Sequence, residues 1–145
     1  MITHFRHTGI VVSNLEASLN FYSGLFGFKV VRRMDESGEY IDNMSALKDV
    51  RVTTVKMAVP DGNLIELLYY HSHPGMPGKH HEIYEIGVSH IAFTVDNLEQ
   101  EYNRLIKAGV QFNAPPQFSP DGYAKVTFCK DPDGNLIELV EVLDK

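Results

Sequence analysis

Apolar positions along this chain alternate with polar ones in short runs, interrupted by two stretches in which they recur at helical spacing. In residues 6–12, Thr8, Ile10 and Val12 share one face while His7, Gly9 and Val11 share the other, which predicts a strand. Ser13 with Glu16 three residues on reads as a capping box, and Leu15, Leu19, Tyr22 and Phe26 then form a helical stripe that Gly27 ends. Residues 28–33 read as a short strand. Residues 35–49 read as loop, with Met44, Ala46 and Leu47 giving at most one turn of helix beside a pocket. Residues 51–59 form the next strand, and another runs from Leu64 to about Tyr70.

The second half follows the same order. Residues 88–95 read as a strand, with His90, Ala92 and Thr94 on one face and Ile91, Phe93 and Val95 on the other. Asp96 and Glu99 then read as the cap of a helix with the stripe Leu98, Tyr102 and Leu105, stopped by Gly109. Residues 110–112 read as a short strand, 115–122 as loop, and 123–130 and 136–142 as the last two strands. The order βαβββ twice predicts an α+β fold with mixed sheets rather than a doubly wound one.

The pattern repeats because the residues do. Pro60-Asp-Gly-Asn-Leu-Ile-Glu-Leu67 recurs letter for letter as Pro132-Asp-Gly-Asn-Leu-Ile-Glu-Leu139. Each copy is a turn, with Pro presetting φ and Gly accepting a positive one, followed by a strand carrying a glutamate. At a single offset, His7, Val12, Asn14, Leu15 and Glu16 also align with His90, Val95, Asn97, Leu98 and Glu99. One domain over residues 1–145 is expected, built from module one (about 4–70) and module two (about 87–143). They are joined by a Gly/Pro/His linker, 71–86, whose histidines His71, His73, His80 and His81 have no rigid element to fix them. Two such modules are expected to be related by a pseudo-twofold axis.

Composition narrows the function. Apolar content of 43% and charged content of 22% are globular values. A net charge of −6, with no basic run, argues against nucleic acid. The single cysteine, Cys129, excludes an internal disulfide, fits a reducing compartment, and reads as a small buried hydrophobe. No apolar leader precedes His7 and no run approaches the ~18–20 residues of a membrane span, so a cytoplasmic protein is expected.

Four residues carry the candidate chemistry: His7, Glu66, His90 and Glu138. A lone strand histidine is usually an ordinary core or surface residue, and a lone strand glutamate usually faces water. Here both anomalies occur twice at repeat-equivalent places, and Glu66 shares its face with Leu64 and Leu68, which would also have to be wet. Two imidazoles and two carboxylates suit a borderline divalent ion such as Zn, Ni, Co or Mn better than Ca or Mg. Four protein ligands also leave coordination positions open for a substrate.

With these residues in place, the chain resembles the vicinal oxygen chelate superfamily of glyoxalase I, methylmalonyl-CoA epimerase, fosfomycin-resistance thiol transferases, extradiol dioxygenases and bleomycin-binding proteins. The resemblance spans nearly the whole chain. It is carried by His7 and the following Val-Val-Ser-Asn-Leu-Glu-x-Ser-x-x-Phe-Tyr, by both Asp-Gly-Asn-Leu-Ile-Glu-Leu segments, and by Ser89-His90-Ile-Ala-Phe-Thr-Val-Asp. It implies paired βαβββ modules forming a cupped, half-open barrel, with one metal ion per site held by His7, Glu66, His90 and Glu138. That ligand set resembles the isomerase branch, including bacterial glyoxalase I. There the ion stabilises an enediolate while a carboxylate, here Glu138 or Glu66, shuttles a proton between neighbouring carbons. The duplicated sequence does not choose between the two glutamates.

The resemblance also has gaps. Bacterial glyoxalase I has an Arg four residues after its first His and an Asn four after its first Glu, both serving glutathione; here those places hold Val11 and Tyr70. Where methylmalonyl-CoA epimerases carry a His-Gly segment, this chain has Ser119-Pro-Asp-Gly-Tyr123. Tyr40, Tyr69, Tyr70, Phe118 and Tyr123 are candidates for an aromatic wall. The expectation is a metal-dependent lyase or isomerase acting on a small oxygenated substrate, as a homodimer. The alternatives are a thiol transferase or dioxygenase on the same metal, or a non-enzymatic drug-binding protein of the bleomycin-resistance type.

Overall fold

The computed structural model describes residues 1–75 and 82–143, so His80 and His81 of the linker lie outside the described residues. The chain divides into two compact units, Met1–Pro77 and Gly78–Lys145. In the first, strand β1 (His7–Val11) leads into helix α1 (Leu15–Leu19) and a π-helical turn (Asn20–Leu25). Strand β2 (Lys29–Ser37), helix α2 (Glu39–Ser45) and strands β3 (Arg51–Ala58) and β4 (Leu64–Tyr70) follow. The second unit contains β5 (His90–Thr94), α3 (Leu98–Lys107), β6 (Gln117–Phe118), β7 (Ala124–Lys130) and β8 (Leu136–Val142).

Each unit is one four-stranded mixed sheet, ordered β1-β4-β3-β2 in the first and β5-β8-β7-β6 in the second. In both, the first strand runs parallel to the last and the remaining pairs are antiparallel. The α+β architecture expected from the sequence is therefore present, with the two sheets repeating one topology.

Each sheet buries one face under its helix. In unit one, α1 packs on β4, and Ile10, Val55, Met57, Ile65 and Leu67 are buried with Leu15, Phe21 and Tyr22. In unit two, α3 packs on β8, and Cys129, Ile137 and Leu139 are buried with Leu98 and Leu105. Period two then sends Leu64, Glu66 and Leu68, and likewise Leu136, Glu138 and Val140, to the opposite face, where all six are half-buried.

Several local expectations are corrected. The first helix passes into π geometry, with the Phe26 N–H donating to the Phe21 carbonyl at 2.9 Å. The neighbours Phe21 and Tyr22 are both buried in this turn. Their rings pack edge-on at 4.9 Å. The cap of α1 is Asn14, whose side chain accepts from the Ala17 N–H, rather than Ser13; the cap of α3 is Asn97, accepting from Gln100, rather than Asp96.

Residues 35–45 are not loop, since β2 continues to Ser37 and α2 follows, whereas 46–49 are irregular as expected. That helix buries none of its residues, so no apolar period marks it. It is closed by the Asp42 carboxylate, which accepts from the N–H groups of Asp49 and Val50. The expected strand at 110–112 is reduced to a single bridge between Phe112 and Cys129, and the edge strand is β6, inside the expected loop. Pro115 and Pro116 have no N–H to give a ladder and so break the edge in two.

Candidate metal centre

Within unit one, the parallel register sets Gly9 beside Glu66, and His7 two residues away on the same face. The His7 Nε2 lies 3.8 Å from Glu66 Oε1. Within unit two, the same register sets Ala92 beside Glu138, and His90 Nε2 lies 2.9 Å from Glu138 Oε2. The glutamate side chains are 14% and 21% exposed, so each is held by its sheet yet reachable from one side.

The two pairs differ in their surroundings. Lys56 stands directly across from Glu66 on β3, with its Nζ 3.7 Å from Glu66 Oε2. Phe128 holds the equivalent place across from Glu138, and its ring packs edge-on against the His90 imidazole at 5.1 Å. The Nδ1 of His90 lies 3.0 Å from the Ser89 hydroxyl, whereas the Nδ1 of His7 is buried without a hydrogen-bond partner.

Each pair fits a divalent ion by its chemistry. Two ligands bonded to one ion at ~2.0–2.2 Å stand about 3.0–3.4 Å apart, and the observed separations bracket that span. The unpartnered nitrogen of His7 is Nδ1, on the side of the ring away from the Nε2 that faces Glu66, so the fit rests on the two imidazole–carboxylate separations. Among the described residues, no group of three or more His, Cys, Asp or Glu side chains is gathered, so the structure brings the four candidates together as two pairs.

The other candidates separate. Tyr69 and Tyr70 are adjacent on β4 and point to opposite faces; Tyr69 packs edge-on against His71, and only Tyr70 shares the face of Glu66. Tyr40, Phe118 and Tyr123 are exposed, and Lys125 covers the Phe118 ring. Of the linker histidines, His71 is bound through Nε2 to the Thr53 hydroxyl at 2.7 Å and His73 through Nδ1 to Ser72 at 2.8 Å. Val11 and Tyr70, which replace the glutathione-serving residues of the resemblance, both lie on the Glu66 face. Lys56 was missed by the sequence reading. The signal was there: a tight turn at 60–63 sets Ala58 across from Leu64 and hence Lys56 across from Glu66.

The family model of the glyoxalase/bleomycin resistance protein/dioxygenase superfamily matches residues 4–139. The chain belongs to that superfamily. It is 29% identical to the lactoylglutathione lyase of Pseudomonas aeruginosa, over 94% of this chain and 81% of that one. It is also 29% identical to the lactoylglutathione lyase of Salmonella typhimurium, over 95% and 92%. Among solved structures, a glyoxalase family protein from Bacillus cereus matches with a TM-score of 0.89 at 24% identity, covering 99% of this chain and 97% of that one. The trypanothione-dependent glyoxalase I of Leishmania major matches with a TM-score of 0.68 at 26% identity, over 97% and 87%. The fold of this superfamily member is thus the glyoxalase fold. Among the described residues, no helix is long and apolar enough to cross a membrane.

Proposed function

We propose that this superfamily member is a metal-dependent enzyme of the lyase or isomerase type, with His7, Glu66, His90 and Glu138 as the ligands of a divalent ion. The observation that carries the reading is the duplicated imidazole–carboxylate pair, one on each sheet at the same register position. The names of the lactoylglutathione lyase relatives support the same reaction class. A divalent ion held there would supply Lewis acidity to vicinal oxygens of a small substrate.

The chain's own residues do the rest. His7 and His90 present Nε2 from rigid strands, which fixes the ligand set without a loop to order. Glu138 or Glu66 takes the proton from the carbon beside a carbonyl and returns it to the neighbouring carbon, a general-base role worth about 10²–10⁴ in rate. Val11 and Tyr70 offer no charge to a glutathione carboxylate, so the substrate differs from a glutathione adduct at that end.

Metal analysis of the purified protein tests the proposal. About one divalent ion per chain is expected, lost in His90→Ala and Glu138→Gln. Failure of the folded protein to take up Zn, Ni, Co or Mn overturns it. Turnover that depends on added thiol or on oxygen would move the protein to the transferase or dioxygenase branch.

A further inference from the structure

The cross-strand row through Glu66 carries more charge than a metal ligand needs. Reading across the sheet of unit one, register partners run Gly9, Glu66, Lys56, Arg32. Period two places all four on the same face, and the neighbouring Arg33 goes to the other, where its Nη1 lies 4.0 Å from Glu16 Oε1. The corresponding row of unit two runs Ala92, Glu138, Phe128, with no cation. Duplication supplies the internal control: the fold needs no lysine across from this glutamate, because its other copy has a phenylalanine there.

Lys56 is not an ordinary surface lysine. It stands in the middle of a strand flanked by β2 and β4, and its side chain is 24% exposed. One carboxylate, Glu66, answers one ammonium. Arg32, directly across from Lys56, adds a second cation that this carboxylate does not balance, and a guanidinium presents a planar fork suited to carboxylate or phosphate oxygens. The row therefore has an anion-accepting end beside a metal-ligating end.

We infer that Lys56 and Arg32 bind an anionic oxygen group of the substrate, a carboxylate or a phosphate, on the Glu66 face of the first sheet. The inference rests on the proposed site and deepens it, since it names the class of substrate: a small oxygenated molecule that is itself an anion. This agrees with Val11 and Tyr70 standing on the same face, where they offer no charge of their own.

The test titrates the full chain, with its metal content measured first, with succinate, inorganic phosphate and neutral succinamide, followed by amide chemical shifts and calorimetry. Saturable binding of succinate or of phosphate is expected, and which of the two binds identifies the carboxylate or phosphoester class. Succinamide should not bind. Arg32→Gln and Lys56→Gln should each weaken binding by about tenfold or more, the loss expected for a charged hydrogen bond. Arg33→Gln, on the opposite face of the same strand, should leave it unchanged. Native amide spectra of the variants separate loss of binding from loss of fold. Absence of anion binding, or equal binding by wild type and both folded variants, overturns the inference. A protein that takes up metal but no anion loses only this inference; one that binds anion but no metal loses only the enzymatic proposal.

Discussion

Asn135 donates both its backbone N–H and its side-chain amide to the buried carboxylate of Asp131, at 2.8 and 2.9 Å. The identical letters in unit one are wired differently: Asn63 donates to Asp61, two residues back, at 2.8 and 2.9 Å. The cause lies one residue outside the repeat, where Asp131 stands in unit two and Val59 in unit one. Asp131 also accepts from the Asp133 N–H, so one carboxylate gathers the whole turn that aims the strand of Glu138. Asp131→Val should lower stability by about 1–3 kcal/mol in urea unfolding, through loss of three hydrogen bonds to one buried carboxylate. Asp61→Ala, in a solvent-exposed turn, should have the smaller effect. Equal losses would refute this account of the two turns.

The helix caps give a second prediction. Asn14 and Asn97 are the capping residues, and α3 gains a long-range cap because Glu141 of β8 accepts the Leu98 N–H at 2.8 Å. Asn97→Ala should cost about 0.5–2 kcal/mol, and Glu141→Ala a comparable amount. Asp96→Ala should leave the cap in place. Thermal unfolding of the three variants ranks them, and a larger loss at Asp96 than at Asn97 would return the cap to the residue favoured by the sequence pattern.

These two cases mark the boundary of what sequence reading reached. Element order and the strand faces were legible because burial imposes period two, and the duplication gave each inference a second instance. Asn and Asp or Ser side by side have the same capping chemistry, so spacing alone did not settle which one caps. Helix α2 was illegible because it buries nothing. The π turn was illegible because one added residue breaks the period it would be recognised by. Lys56 is legible only across the hairpin, through the register that the turn at 60–63 sets, and not along the strand of Glu66.

Cys129 supplies a third prediction. Burial, reinforced by the Asp131 carboxylate, pushes its thiol from 9.0 up to about 12. The folded state therefore holds the proton over a range in which the unfolded chain has released it. The resulting stabilisation is fully present below pH 9.0 and is lost as the pH climbs toward about 12. A thiol-reactive dye at pH 8 should label the native protein only at the rate of unfolding, and at once in denaturant. Fast labelling of the folded chain would show an accessible thiolate instead.

The last prediction turns on the unequal surroundings of the two glutamates. A divalent ion near Glu66 meets the Lys56 ammonium 3.7 Å from that carboxylate, whereas near Glu138 it meets an aromatic edge. Like charges a few ångströms apart repel by about 1 kcal/mol or more even at the dielectric of water, and by several times that in a half-buried place. Phe128→Lys should therefore weaken divalent-ion binding by about tenfold or more, while Lys56→Met should tighten it. Calorimetric titration with Zn or Ni reads both directly, without any assay of turnover. The opposite signs are what make the pair informative, because general damage to the fold weakens binding in both variants. If Lys56→Met instead weakened the ion, the lysine would be positioning Glu66 rather than competing for it, and the balance of charge across the first sheet would have to be assigned anew.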